Sequence, residues 1–417
     1  MSHPVNSPGT QVSVQGLARA SRTLPGTARR VGPLGPILFA GLLTVALVAV
    51  RLAHAHGNVT AFIEFGRHFA SVTRPPRGAV IATPIGYDGQ FFWVQALDPF
   101  VLHHATVAAM DTAGRAYELQ RMAYPLLAAA LALGQPGAIP WTLLVVNIAA
   151  IVGVTGLAAA YAQSCGRSVW WGVAVGCTPG MVMGTLRDLS DPLATAAVIG
   201  ALITYAQGRR WWAAGLLALA VLAREPMVVA FPAIGVDILV ALWWGRRATG
   251  RARWAPLRAW PVLVIPLILF VAWQLYVRGL SVVTTHGGAT HAAAGSDTAS
   301  WPPFNDVKAE IQRSAAQDSP AMTAWDVIYM ALVIGATLNV ITLLRRAPRA
   351  ASITALLSGL IFGIIFLGDQ WGVSRYGAPV LGAAVIAGLQ LGRRGPPRWG
   401  AIAVAMTFFA ALVIPNR

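Results

Sequence analysis

Trp141–Ala162 reads WTLLVVNIAAIVGVTGLAAAYA, 22 residues without one charged side chain. As a helix rising 1.5 Å per residue, a stretch of that length spans about 33 Å, enough to cross a bilayer's hydrocarbon core of ~30 Å. Working outward, comparable apolar runs recur at 34–53, 168–186, 190–207, 211–223, 226–244, 260–277, 324–344, 351–367, 375–391 and 399–414. Across the 417 residues, 56% are hydrophobic and only 11% charged. That is less than half the charge of a soluble domain, so a water-soluble globule is rejected. The expected fold is an all-α polytopic membrane protein of about eleven spans, with ten to twelve as the bounds.

Two runs are too short to assign by length alone, 211–223 and the Pro125-containing stretch Met122–Leu133. Loop charge assigns them. Loops rich in Arg alternate with loops bearing acids along the whole chain if 211–223 spans and 122–134 lies as an interfacial helix on the outer side. The basic N-terminus is then inside and the C-terminus outside. Every acid except Asp237 falls on the outer side. The Trp pairs 170–171, 211–212 and 243–244 fall near inner ends, as an aromatic belt would. Residues 1–33 read as a disordered cytoplasmic segment rich in Ser, Thr, Pro, Gly and Arg. The run 34–53 lacks a cleavage site close behind it and reads as an uncleaved helix. Residues 34–245 form the first module, with a long outer loop at 54–140. Residues 246–417 form the second, with an outer loop at 278–323. The net charge of +16 comes from short Arg clusters between spans, which indicates topology and a lipid bilayer partner, not nucleic acid. Cys165 and Cys177 have no metal-ligand spacing, and no disulfide is expected. No internal or inverted repeat is visible, which argues against a repeat-built transporter.

The outer loops hold the candidate chemistry. Gly86-Tyr87-Asp88-Gly89-Gln90-Phe91-Phe92-Trp93 places a carboxylate in a tight turn ahead of an aromatic run expected at the bilayer interface. Desolvation there would raise the Asp88 pKa toward the range of a general base. The plainer reading is an Asx turn or a helix N-cap. Gln120-Arg121-Met122-Ala123-Tyr124-Pro125 opens the interfacial helix. In Arg187-Asp188-Leu189-Ser190-Asp191-Pro192, Asp191 suits a helix N-cap with proline following, whereas Asp188 has no such structural role. Two carboxylates and a phosphate could also share a divalent cation such as Mg²⁺ or Mn²⁺. Arg224-Glu225 reads either as a phosphate-binding arginine oriented by its neighbour or as a local ion pair in an exposed turn. Arg375 opens a span, where it could grip a lipid phosphate or anchor the helix at the interface. His54, His56, His103 and His104 are on the same side, without a matching carboxylate for a metal site.

Taken in order, these segments resemble the GT-C superfamily of integral-membrane glycosyltransferases that use polyprenyl-phosphate sugars. Gly-Tyr-Asp-Gly-Gln-Phe, Arg-Asp-Leu-Ser-Asp-Pro and Leu-Ala-Arg-Glu are similar to segments of a bacterial group within it. The likeness covers roughly 34–245. It implies a multi-pass protein of the bacterial inner membrane with a GT-C-like fold and a periplasmic active site. It also implies transfer of a hexosyl or mannosyl unit from a polyprenyl-phosphate sugar to a glycan or glycolipid acceptor of the cell envelope. By the same resemblance, Asp88 is the base and Asp188 or Asp191 positions the donor or a metal. Arg375 neutralises the carrier phosphate. Beside these, Tyr87, Gln120, Arg121, Arg187, Arg224 and Glu225 are candidates for binding the substrate or its phosphate. One departure stands out: Asp188 and Asp191 are three apart, with no Asp-x-Asp pair, which leaves metal use open. The rival expectations are a flippase or transporter of lipid-linked sugars, which would carry polar residues through the membrane, and a non-enzymatic envelope assembly protein.

Overall fold

A computed structural model of the chain describes residues 32–112, 116–244, 256–284, 320–344, 350–364 and 370–390. Nearly all of segment 1–33, most of loop 278–323, Asp369 and the expected span 399–414 lie outside the described residues.

The described chain is overwhelmingly helical. Helix α1 (Leu34–His54) packs along a longer helix, α6 (Ile139–Ser164), which contains the uncharged 22-residue run. Pro140 sits at the start of α6, where its missing N–H costs no intrahelical bond. Four segments, Leu34–His54, Pro136–Ser164, Glu225–Trp243 and Pro256–Leu280, are long and apolar enough to cross a membrane. Their outer faces expose large apolar side chains, among them Leu38, Leu42 and Val45 of the first and Leu267, Ile268 and Leu275 of the last. An apolar surface that continuous suits lipid rather than water.

Between His54 and α6 lies a folded layer of short elements. It comprises a 3₁₀ turn (Val59–Phe62), β1 (Phe65–Gly66), α2 (Arg67–Thr73), β2 (Ile81–Thr83), α3 (Gly89–Leu97), α4 (His104–Thr112), a second 3₁₀ turn (Ala116–Gln120) and α5 (Ala123–Ala132). The two short strands pair in parallel, which the all-helical expectation did not include. The aromatic run after Asp88 is folded inward. Phe91, Phe92 and Trp93 are buried and pack edge-on against Phe69, Tyr124 and Phe65, with ring centroids 5.0, 5.3 and 5.1 Å apart. Such edge-to-face pairs add to the area they bury and make the loop a small core of its own. Helix α5 has ten residues, about 15 Å, too short to cross, and it rests on α3 and α6.

The run 168–186 is not one helix. It breaks into α7 (Trp171–Gly176) and α8 (Pro179–Leu186), because Pro179 holds Thr178 in extended geometry at ψ 152°. Helices α9 (Asp191–Ala206) and α10 (Arg210–Ala223) form an antiparallel pair. Helix α11 (Ala230–Trp244) follows a 3₁₀ turn at Glu225–Val229. Helix α12 (Pro261–Thr284) packs on α10, and α13 (Pro320–Leu344), α14 (Ala350–Ile364) and α15 (Gln370–Gln390) pack together. Helix α15 also lies against α8 and α9. Asp237, the one acid expected within a span, accepts from the Tyr205 hydroxyl at 2.9 Å.

Candidate functional site

The end of the bundle where α1, α8 and α10 finish and α9 begins gathers almost every candidate side chain. The turn carrying Asp88 is built on Glu64. The Tyr87 N–H donates to the Glu64 carbonyl (3.0 Å), and Gln90 spans the turn, accepting from the Gly66 N–H (2.9 Å) and donating to the Ile85 carbonyl (3.0 Å). Gly86 holds φ +77°, and a Cβ there would fall 2.3 Å from the Gly66 nitrogen. At Gly89 a Cβ would stand 2.8 Å from the Ile63 carbonyl oxygen and 2.9 Å from that of Arg187. Only glycine lets the Asp88 turn press directly against the Arg187–Asp188 turn. The Arg187 guanidinium stacks over the Tyr87 ring at 4.4 Å, sealing the same contact.

Asp88 occupies the N-cap position of α3 but makes no capping hydrogen bond. Its carboxylate faces Arg121 instead, 3.8 Å away. Arg121 also pairs with Glu118 and grips both oxygens of Glu225 through Nε at 3.1 Å. Three acids from three chain segments therefore share one guanidinium. Trp273 of α12 donates to the Leu119 carbonyl at 3.1 Å, fixing the turn that presents Glu118 and Arg121.

Arg224 and Glu225 do not pair with each other. Arg224 is buried and bonds Asp191, while Glu225 reaches Arg121. Asp191 is the first residue of α9 and Ser190 its N-cap, so the expected Asp191 cap is replaced by an ion pair across to α10. A second acid-centred group lies beside these. Glu64 takes Arg51 at 2.7 Å and Arg187 at 3.3 Å.

Asp188 differs from all of them. Helix α8 ends in a Schellman motif: the Leu189 N–H donates to Gly184 (2.8 Å) and the Asp188 N–H to Thr185 (3.4 Å). Asp188 fills the left-handed position, φ +48°, that such a motif usually gives to glycine. A non-glycine residue costs about 1–2 kcal/mol there. Asn147 of α6 holds the turn by donating to the Leu189 carbonyl (2.9 Å) and the Tyr124 hydroxyl (2.9 Å). The Asp188 side chain is fully buried, and neither carboxyl oxygen has a hydrogen-bond partner. Burial pushes its pKa well above the usual carboxylate range. Arg51 pulls it down, and Glu64 adds to the rise. Asp98 shows the opposite treatment. Burial alone would raise its pKa, but the backbone N–H groups of His103 and Leu102 and the Thr106 hydroxyl outweigh it and hold it low. Asp98 is thus a structural clasp at the start of α4.

Among the described residues no group of three or more His, Cys, Asp or Glu is placed to hold a metal ion together. Asp191 is already engaged by Arg224 and Glu64 by two arginines, so the donor set does not fit a divalent cation. Gln120 is half-buried and joins none of these contacts. Helix α15 starts at Gln370 and carries Arg375, whose side chain lies outside the described residues. Sequence reasoning missed Arg51, Glu64, Glu118 and Asn147 as site residues. Arg51 and Asn147 had a signal, since each is a lone polar residue within an apolar run. Glu118 had one too, three residues before Arg121.

Comparison with known proteins finds no matching family model, no matching curated protein and no matching solved structure.

Proposed function

We propose that this chain is a membrane glycosyltransferase of GT-C type, taking a sugar from a polyprenyl-phosphate donor and handing it to a glycan or glycolipid acceptor at the membrane's outer face. The observation that carries the reading is the contact of the Asp88 turn with the Asp188 turn. Two acid-bearing turns from distant parts of the sequence are pressed together through Gly89 and the Tyr87–Arg187 stack. Asp188 is kept there strained, buried and unpartnered. Proteins retain such outliers where function requires them.

In this reading the acceptor hydroxyl loses its proton to Asp88 as its oxygen bonds the anomeric carbon. The bond from that carbon to the carrier phosphate breaks, and its electron pair stays on the phosphate oxygen. Inversion at the anomeric carbon follows from a single displacement. Arg187 and Arg375 are the cations assigned to the departing phosphate, while Arg224 stays with Asp191. Arg121 orients Asp88 and holds Glu225 near it. A donor with a polyprenyl tail cannot leave the bilayer, which suits a site at the end of apolar helices. Eleven spans, an inner-membrane location and a cytoplasmic N-terminus belong to the same proposal and rest on loop charge.

The test is transfer by membranes containing the full chain, given a panel of polyprenyl-phosphate sugars, with Asp88→Asn as the comparison. The reading expects at least a ~100-fold loss of transfer, the usual scale for a missing general base. Equal transfer by both proteins removes Asp88 as the base. Passage of labelled donor across the bilayer without any transfer replaces the enzyme with a transporter.

A further inference from the structure

The end of the bundle opposite the acid cluster holds a cavity of about 410 Å³, lined by Arg210, Trp211, Leu257, Arg258, Trp260 and Pro261. Two parallel helices begin there. Helix α10 starts at Arg210 and runs about 20 Å before reaching Arg224 at the acid cluster. Helix α12 starts at Pro261, and its Trp273 reaches the same cluster. Their first turns meet around the cavity. Helix α10 has no side-chain cap, so its first N–H groups and the positive end of its dipole face outward at this point.

Neither Arg210 nor Arg258 has a carboxylate partner among the described residues, and both are exposed. Among the described residues, the acid-paired arginines sit at the other end. The Arg210 guanidinium lies over the Trp211 ring at 5.8 Å. Trp211, Leu257 and Trp260 are also exposed, at 59%, 44% and 53%. Continuing along α12 from the cavity, Val264, Leu267 and Ile268 present an exposed apolar face. The cavity is therefore lined by two arginines and two tryptophans beside an uncapped helix start, and it adjoins a surface fit for acyl chains.

From this charge and shape complementarity we propose that the cavity binds the headgroup of an anionic phospholipid, its phosphate between Arg210 and Arg258 and its chains along α12. An aromatic belt and topology-setting arginines account for the residue types; their convergence on one cavity at paired helix starts is what points to a headgroup. The inference rests on a bilayer around the chain and is independent of the transferase reading.

The test uses the purified full chain in a neutral detergent, titrated with fluorescent phosphatidylglycerol or phosphatidylcholine. Phosphatidylglycerol should bind at least ~10-fold more tightly, with the preference shrinking as salt rises. The Arg210→Gln/Arg258→Gln double variant should lose that ~10-fold preference, since each cation near an anionic lipid contributes about fivefold. Arg209→Gln, beside the cavity but not lining it, should keep most of it. Equal binding of the two lipids by the wild type overturns the proposal without any variant. So does a double variant that folds and still prefers phosphatidylglycerol. Displacement of the lipid by tens of millimolar inorganic phosphate, but not by sodium chloride of the same ionic strength, overturns the lipid assignment in favour of free phosphate.

Discussion

Replacing Asp188 by glycine should make the protein more stable and inactive. The left-handed backbone at Asp188 costs about 1–2 kcal/mol, which glycine removes. Glycine's extra freedom in the unfolded chain returns roughly 0.5–1 kcal/mol of that. The carboxyl group is fully buried with no partner for either oxygen, and relieving it yields about 1–3 kcal/mol. Losing one methylene from the packing subtracts roughly 0.8 kcal/mol. The net expectation is a gain of about 2 kcal/mol near neutral pH, which for a chain of this length is a rise in Tm of roughly 2 °C. The sign depends on pH. The folded-state pKa of Asp188 is raised, so the wild type is favoured most below the unfolded value of about 3.9. It loses stability as pH climbs from there through the folded value. Asp188→Gly lacks this titration, so its advantage over wild type should be larger at about pH 8 than at about pH 5. Asp188→Asn, which tolerates the same backbone, should share the pH-independence without the strain relief. Thermal unfolding followed by tryptophan fluorescence in one detergent at both pH values measures all three, with transfer activity assayed in parallel. A variant less stable than wild type at both pH values refutes the reasoning, because it would show the carboxyl stabilised by something its surroundings do not supply.

Arg121→Gln leaves Asp88, Glu118 and Glu225 facing one another and should cost about 3–5 kcal/mol, seen as a sharp fall in the yield of folded protein; Glu225→Gln on top should restore part of it. Gly89→Ala should cost about 1–3 kcal/mol and reduce transfer, because its Cβ meets two carbonyl oxygens inside 3.0 Å; thermal unfolding unchanged from wild type would show that the two turns are not held in contact. Glu64→Gln releases Arg51 and Arg187 from their shared acid and should lower the KM for the anionic donor by about fivefold, the equivalent of one freed cation; a KM that rises would place the phosphate elsewhere.

The apolar runs were legible because a membrane imposes a single length on them. The helices Leu34–His54 and Ile139–Ser164 follow the expected 34–53 and 141–162 to within a few residues. Where the expectation treated an apolar run as one rod, Pro179 had already marked the break, since the residue before a proline leaves helical geometry. The folded layer between His54 and α6 was not legible. Its parallel strands total five residues, too few for alternation to register, and their pairing depends on Gly66 meeting a segment 15 or more residues away. The site residues divide the same way. Asp88, Arg187 and Asp188 could be suspected because each sits beside glycine or another charge, and Arg121 because it opens the short helix with Tyr124-Pro125. Their partners could not be read. Arg121 finds Glu225 across 104 positions and Arg224 finds Asp191 across 33, and only the packing of α9 on α10 brings the second pair together. The local pairing of Arg224 with Glu225 failed for the same reason, since a turn between helices sends neighbouring side chains to different elements.

The charges at this end also constrain how a phosphate donor would be held. Glu64, Asp88, Glu118, Asp188, Asp191 and Glu225 face Arg51, Arg121, Arg187 and Arg224, so acids outnumber arginines even with Asp188 protonated. Each arginine assigned to the phosphate from these turns is already paired with a carboxylate. An anionic donor must therefore displace a carboxylate from its arginine or bring in a further cation. Displacement at Arg224 would leave Asp191 buried and unpaired, which is costly. Displacement at Arg187 is cheaper, because Glu64 keeps Arg51 and Arg187 keeps its stack on Tyr87. The phosphate is thus expected at Arg187, beside the Asp88 turn, with Arg224 bound to Asp191 as a brace between α9 and α10. That assignment puts the leaving group and the base on the two turns that Gly89 holds together, and a single displacement then requires the sugar to enter with its bond to the phosphate turned away from Asp88.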